Sequence, residues 1–245
     1  MQSSPTILFA VICGFFAIII MMVALVVFVS RKEKAKNDKT ARALGMTPVA
    51  DSDYLLEQVA YVNGINRKEL YRVEGVYQRR TGGGDVFMFN FHRRDIKRQT
   101  AGSRSSKIHY HPLETNVLAF VSPTWHFPRF TVIPRLGGEG KLAVIANSIA
   151  ESIAEIKMDV VNFPHIPGLD ERYLIATSNP STAQDYLSDA FLRTIASTPK
   201  LILHTGGNTL TLSYSNSTTQ PPDEEGMKQL YKIGVQLAKD VSEKR

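Results

Sequence analysis

Hydrophobic and polar positions are distributed unevenly along the chain. Residues 7–29 (ILFAVICGFFAIIIMMVALVVFV) run for 23 positions without a charge, and at about 1.5 Å per residue such a helix would span roughly 30 Å of hydrocarbon. The run predicts a transmembrane helix. A core helix carries a shorter wholly apolar stretch. A cleaved signal peptide opens with a basic segment, whereas residues 1–6 (MQSSPT) hold no basic side chain. Cys13 precedes most of the apolar run, which argues against a lipoprotein signal and leaves it a small apolar residue.

Past the apolar run the periodicity changes. Good helix formers continue over 31–44 to Gly45, with Pro48 close behind, and predict a helical stalk about 20 Å long. A short helix is expected over 52–62, capped by Asp51 or Ser52, with Leu55, Leu56 and Val59 on one face and Asn63-Gly64 as its stop. Residues 71–79 and 86–92 are β-rich runs around a Gly-rich RTGGGD loop, a hairpin pattern. Phe87, Phe89 and Phe91 alternate with Met88 and Asn90, so three rings share a strand face that suits a core. Further strands are predicted at 117–121 and 130–133, the latter between Pro128 and Pro134, with a polar loop over 95–107.

In the second half, Leu142, Ile145, Ile149, Ile153 and Ile156 recur every three or four positions and predict an amphipathic helix over 141–157. Another helix opens at Pro180, with Asn179 as N-cap, and packs through Tyr186, Leu187, Ala190, Phe191 and Ile195. Residues 201–204 and 209–214 flank Thr205-Gly206-Gly207-Asn208 as a second hairpin. A last helix is expected over 222–241, with Asp223, Glu224 and Glu225 at its positive end and Lys239 near its negative end. Hairpins interspersed with helices give the α+β class. The expected layout is an N-terminal tail and single transmembrane helix (1–30), a basic juxtamembrane stalk (31–50), and one globular domain (51–245) with a largely antiparallel sheet and about three packed helices.

Charge changes the picture. The chain of 245 residues carries a formal +6. Residues 31–42 hold +4 of it against an uncharged N-terminal tail, so the positive-inside rule directs the N-terminus outward and the domain to the cytoplasm of a bacterial inner membrane. Between 67 and 107, eleven basic residues face four acidic ones, and the rest of the domain is correspondingly acidic. Arg79, Arg80, Arg93, Arg94, Lys97 and Arg98 are the candidates for a surface that attracts anionic lipid headgroups or an acidic partner. With so little excess charge past the stalk, nucleic acid is not an expected partner.

The motifs 127–134 (FPRFTVIP), 159–163 (DVVNF), Arg172-Tyr173-Leu174 and LILHTGGNTLTLSY before a final helix resemble those of a set of uncharacterised bacterial membrane-anchored proteins. That resemblance implies one N-terminal transmembrane helix, a basic stretch and a cytoplasmic α/β domain. It implies no activity.

Catalytic chemistry is weakly signalled. A single cysteine excludes an internal disulfide and a cysteine-based zinc site. His109 and His111 have strand spacing for a metal pair, with His92 or His126 as completing ligands, but a polar loop suits solvated histidines as well. Gly82-Gly83-Gly84 joins two strands and lacks the P-loop frame. There is no GxSxG elbow, Asp159, Asp170 and Glu171 take no role, and the Asn216 sequon is irrelevant on the cytoplasmic side. No cofactor is expected. The function read from these features is a non-enzymatic membrane-anchored accessory or scaffold subunit of a larger integral-membrane complex. Gly14 and Ala17 would contact a partner helix, and Arg31, Lys32, Lys34 and Lys36 would face the headgroups. The alternative is a membrane-bound hydrolase or transferase with an unfamiliar site.

Overall fold

Nine strands, among the described residues, form one antiparallel sheet, and the pairing explains how two sequence-distant hairpins become one domain. The computed structural model describes residues 5–50, 52–65, 68–94, 110–135, 158–215 and 221–242. The helix expected over 141–157, the loop over 95–107 and the Asn216 sequon lie outside the described residues. The elements are α1 (Pro5–Ala43), β1 (Thr47–Pro48), α2 (Asp53–Val62), β2 (Tyr71–Thr81), β3 (Gly84–Arg94), β4 (Tyr110–Val121), β5 (Phe127–Pro134), β6 (Asp159–Val161), α3 (Leu169–Arg172), β7 (Tyr173–Thr177), α4 (Pro180–Tyr186), α5 (Asp189–Ser197), β8 (Leu201–Gly207), β9 (Thr209–Tyr214) and α6 (Glu224–Ser242). The chain divides into two compact units, Met1–Thr40 and Ala41–Arg245.

The expected fold class is corrected at its N-terminus. Among the described residues no helix is long and apolar enough to cross a membrane. α1 is one 39-residue helix, and charged residues enter it from Arg31 onward. The helix stops where a glycine allows it. Gly45 sits at φ +68°, its N–H donates to the Arg42 carbonyl at 2.9 Å, and the Met46 N–H donates to the Ala41 carbonyl at 2.8 Å, a Schellman closure.

In the second unit the strand order is β1-β2-β3-β4-β9-β8-β5-β7-β6, and every pair is antiparallel. The β4–β9 pairing, Leu118 opposite Leu212, joins the first hairpin to the second. One sheet face, with Val86, Met88, Leu118, Phe120, Phe130, Val132, Leu203 and Leu212, packs against Phe191, Leu192 and Ile195 of α5 and Met227, Leu230 and Leu237 of α6. The other face holds Phe87, Phe89 and Phe91 with Val117, Ala119 and Val121, under Leu55 and Val59 of α2. α2 is pinned at its C-terminal end. Arg129 Nη2 donates to the Tyr61 carbonyl at 2.5 Å, and its guanidinium lies 4.8 Å from the Tyr61 ring centroid.

Two sequence expectations change in detail, and two strands are added. The helix opening at Pro180 is two helices, because Ser188 leaves the helical region and its hydroxyl accepts from the Phe191 N–H at 3.2 Å, starting α5. The second hairpin keeps its strands through Gly206 opposite Thr209, so only Gly207, at φ +59°, and Asn208 make the turn. The strands β6 and β7 form from short runs that have no turn signal of their own, and they are placed by pairing with β5 and with each other.

Candidate functional site

A groove opens at the end of the sheet where the β2–β3 turn meets α6. The turn closes onto the end of β4. Thr81 Oγ1 donates to the Gly84 carbonyl at 2.7 Å, and at Gly84, with φ +147°, a Cβ would lie 2.2 Å from the Val121 carbonyl oxygen. Only glycine permits that approach. On the facing wall, Tyr231, Val235 and Ala238 follow the helical i, i+4, i+7 pattern of α6. α6 lies close to the sheet because position 234 is glycine; a Cβ there would sit 2.2 Å from Phe120 Cε2 and 2.9 Å from Leu212 Cδ1.

The groove encloses about 630 Å³. Val86 and Phe120, opposite each other in the β3–β4 register and both buried, form its floor. The Phe120 ring meets the Tyr231 ring at 5.8 Å between centroids, and half-buried Trp125 meets Phe127 edge-on at 5.3 Å. Thr81, Asp85, Thr124 and Lys239 line the outer rim. Behind Tyr231, the Arg79 guanidinium lies 5.7 Å from the ring centroid while its Nη1 donates to the Leu44 carbonyl at 3.0 Å.

A second constellation is a buried polar row across four strands. His204 on β8 hydrogen-bonds through Nδ1 to Thr131 Oγ1 on β5 at 3.1 Å. Its Nε2 lies 3.9 Å from Glu114 Oε1 on β4, and the Ser213 hydroxyl on β9 donates to the other Glu114 oxygen. Among the described residues Nε2 has no hydrogen-bond partner. Burial pushes the His204 imidazole down to about 4. Burial also pushes the Glu114 carboxyl up, with the Ser213 hydroxyl opposing. Near neutral pH the histidine is therefore uncharged and a poor proton acceptor. Because the Ser213 hydroxyl is committed to a carboxyl rather than to the imidazole, the row lacks the nucleophile–base contact of a hydrolase.

The residues singled out from sequence fall in several places. Arg31, Lys32, Lys34 and Lys36 are exposed on α1. Gly14 and Ala17 belong to α1, and their side chains lie outside the described residues. Arg79 and Arg80 stand near the hairpin turn, Arg80 opposite Asp85, whereas Arg93 stands opposite Tyr71 at the far end. Eight positions along β3 correspond to about 27 Å, so the described arginines occupy the two ends of the hairpin. Arg79 is engaged with Leu44 and Tyr231, and the Arg93 guanidinium lies 5.9 Å from the Tyr71 ring centroid. The Arg94 side chain, Lys97 and Arg98 are outside the described residues.

The histidines and carboxylates separate in the same way. His92 Nε2 lies 3.3 Å from Glu74 Oε2, and burial lowers its pKa. His126 is exposed, and His109 and the His111 side chain are outside the described residues. Among those described, no three His, Cys, Asp or Glu side chains converge to hold a metal. Asp170 is structural, accepting the Phe163 N–H at 3.0 and 2.9 Å, while Asp159 and Glu171 are exposed. Sequence reasoning missed Trp125, Tyr231 and Lys239, although 231, 235 and 238 form a helical stripe. It also missed His204 and Ser213, whose alternation with leucines reads equally well as a solvent face.

With this geometry the chain can be compared with known proteins. No family model matches it, and no curated protein matches its sequence. A solved structure does: the crystal structure of the mycobacterial trehalose monomycolate transport factor A, TtfA, superposes with a TM-score of 0.52 over 84% of this chain and 93% of that chain. The likeness is one of fold. At 12% identity it carries no residue-by-residue correspondence, but it extends over nearly the whole of the solved chain.

Proposed function

We propose that this chain is a non-enzymatic accessory subunit of a membrane assembly that transports lipid. The observation that carries this reading is the fold shared with TtfA, a transport factor, across 93% of that chain. Two features of this chain support it. The groove beside α6 offers an apolar floor and a polar rim, suited to an amphiphilic cargo. α1 exposes Phe15, Ile20, Met21, Met22, Val23, Leu25 and Phe28, a surface that water disfavours and that an integral-membrane partner would cover.

The exposed Arg31, Lys32, Lys34 and Lys36 fit the anionic headgroups of a cytoplasmic leaflet, where each contributes about 1 kcal/mol. These basic residues support our reading of the subunit as one that works at the cytoplasmic face of a bacterial inner membrane. Site-specific photo-crosslinkers at Phe28 and at Arg93, activated in intact membranes before mild-detergent extraction, test the assignment. The expected result is a reproducible adduct with one integral-membrane transport protein, identified by mass spectrometry. Recovery of an uncrosslinked monomer from both positions overturns it.

A further inference from the structure

We infer that the groove between the β2–β3 turn and α6 binds a single acyl chain of a lipid whose headgroup carries no net charge. The inference deepens the function proposed above by naming the ligand class of that groove. The volume, about 630 Å³, lies within the roughly 300–1,000 Å³ of small-molecule sites. Polarity is graded from inside to outside: Val86 and Phe120 are buried below, Trp125 and Val235 are half-buried at the sides, and Asp85 and Lys239 stand at the rim.

That gradient discriminates between occupants. A peptide segment would carry backbone N–H and C=O groups against the apolar side chains of Val86, Phe120 and Val235, which offer them no partner, and each unpaired polar group is costly. A hydrocarbon chain has none to satisfy. At the rim one carboxylate and one ammonium, Asp85 and Lys239, complement a zwitterionic or uncharged head, which can meet both without leaving an unmatched charge.

Trp125 is the only tryptophan in the chain, so its fluorescence reports this groove alone. The full chain, kept in a constant low concentration of mild non-ionic detergent, is titrated with lysophosphatidylcholine carrying a dibrominated acyl chain, a contact quencher, and in parallel with the dibrominated lysophosphatidylglycerol. Val235→Asp places a charge on the apolar wall, and Ala238→Phe fills the groove without one, so a folding defect in either leaves the other as the test. The expected result is saturable quenching by the zwitterionic lipid. It should weaken at least tenfold in a variant of unchanged Tm, with the anionic lipid binding no more than threefold differently at low and high salt. Quenching that does not saturate, or that is the same in both variants, overturns the groove as a lipid site and leaves it to a protein partner. An anionic preference above tenfold that high salt abolishes overturns the headgroup assignment. The two readings fail separately. Saturable quenching without a crosslinked membrane protein removes only the accessory role, and a crosslinked partner without quenching removes only the lipid site.

Discussion

Acidification should weaken this fold through one buried side chain. His204 is 5% exposed, and its imidazole is held at about 4 by burial, against an ordinary value of 6.5. In the unfolded chain the ring takes up a proton as the pH falls through 6.5, while the folded chain resists until about 4. Stability from this group is therefore complete above pH 6.5 and is lost progressively down to about pH 4. Linkage puts the loss at about 2 kcal/mol at pH 5 and about 3 kcal/mol below pH 4. Glu114, 3.9 Å away, works in the opposite sense, since its raised pKa makes the folded carboxyl bind its proton more tightly and adds stability on acidification. Thr131 bonds the ring, Thr211 donates to the His204 backbone carbonyl and Ser213 donates to Glu114, and none of these hydroxyls titrates in this range. Replacing His204 by Gln removes the histidine contribution and leaves the glutamate. Urea unfolding at pH 8, 6.5 and 5 should show wild type losing about 2 kcal/mol more than His204→Gln between pH 8 and 5. Equal losses in the two proteins would refute the assignment of a neutral buried imidazole.

Other perturbations test the groove walls and the core. Gly234→Val should lower stability by about 1–3 kcal/mol through overpacking, because a Cβ would enter the Phe120 ring; an unchanged Tm would show that α6 does not approach the sheet so closely. Arg79→Ala removes a charged hydrogen bond to Leu44 and a cation on Tyr231 and should cost about 2 kcal/mol. Arg79→Lys should restore only part of it in chemical denaturation. Phe130 is fully buried and meets Phe191 edge-on at 5.9 Å, so Phe130→Ala should cost about 3–5 kcal/mol, and a loss under 1 kcal/mol would contradict its central place in the core.

Local patterns were legible wherever the deciding interactions are local. The strands β2 and β3 follow from alternation around a glycine turn, and α6 from its acidic first turn and 3.6-residue stripe. The stop of α1 follows from Gly45, which relieves the backbone at φ +68°. Where a local competitor sat inside a pattern, periodicity misled. Ser188 begins a new helix by capping Phe191, although apolar spacing ran straight through it. Distant pairing was decided only in the tertiary structure. Nothing near Leu118 announces that it will lie opposite Leu212, and that contact merges two hairpins into one sheet. The same holds for burial. Thr209, Thr211 and Ser213 alternate with leucines as a solvent-facing row would, yet all are buried. Whether an alternating polar face meets water or protein depends on what the rest of the chain lays over it. The groove belongs to this second category, because its floor comes from β3 and β4 and its wall from α6, more than a hundred residues later, and no stretch of sequence contains both.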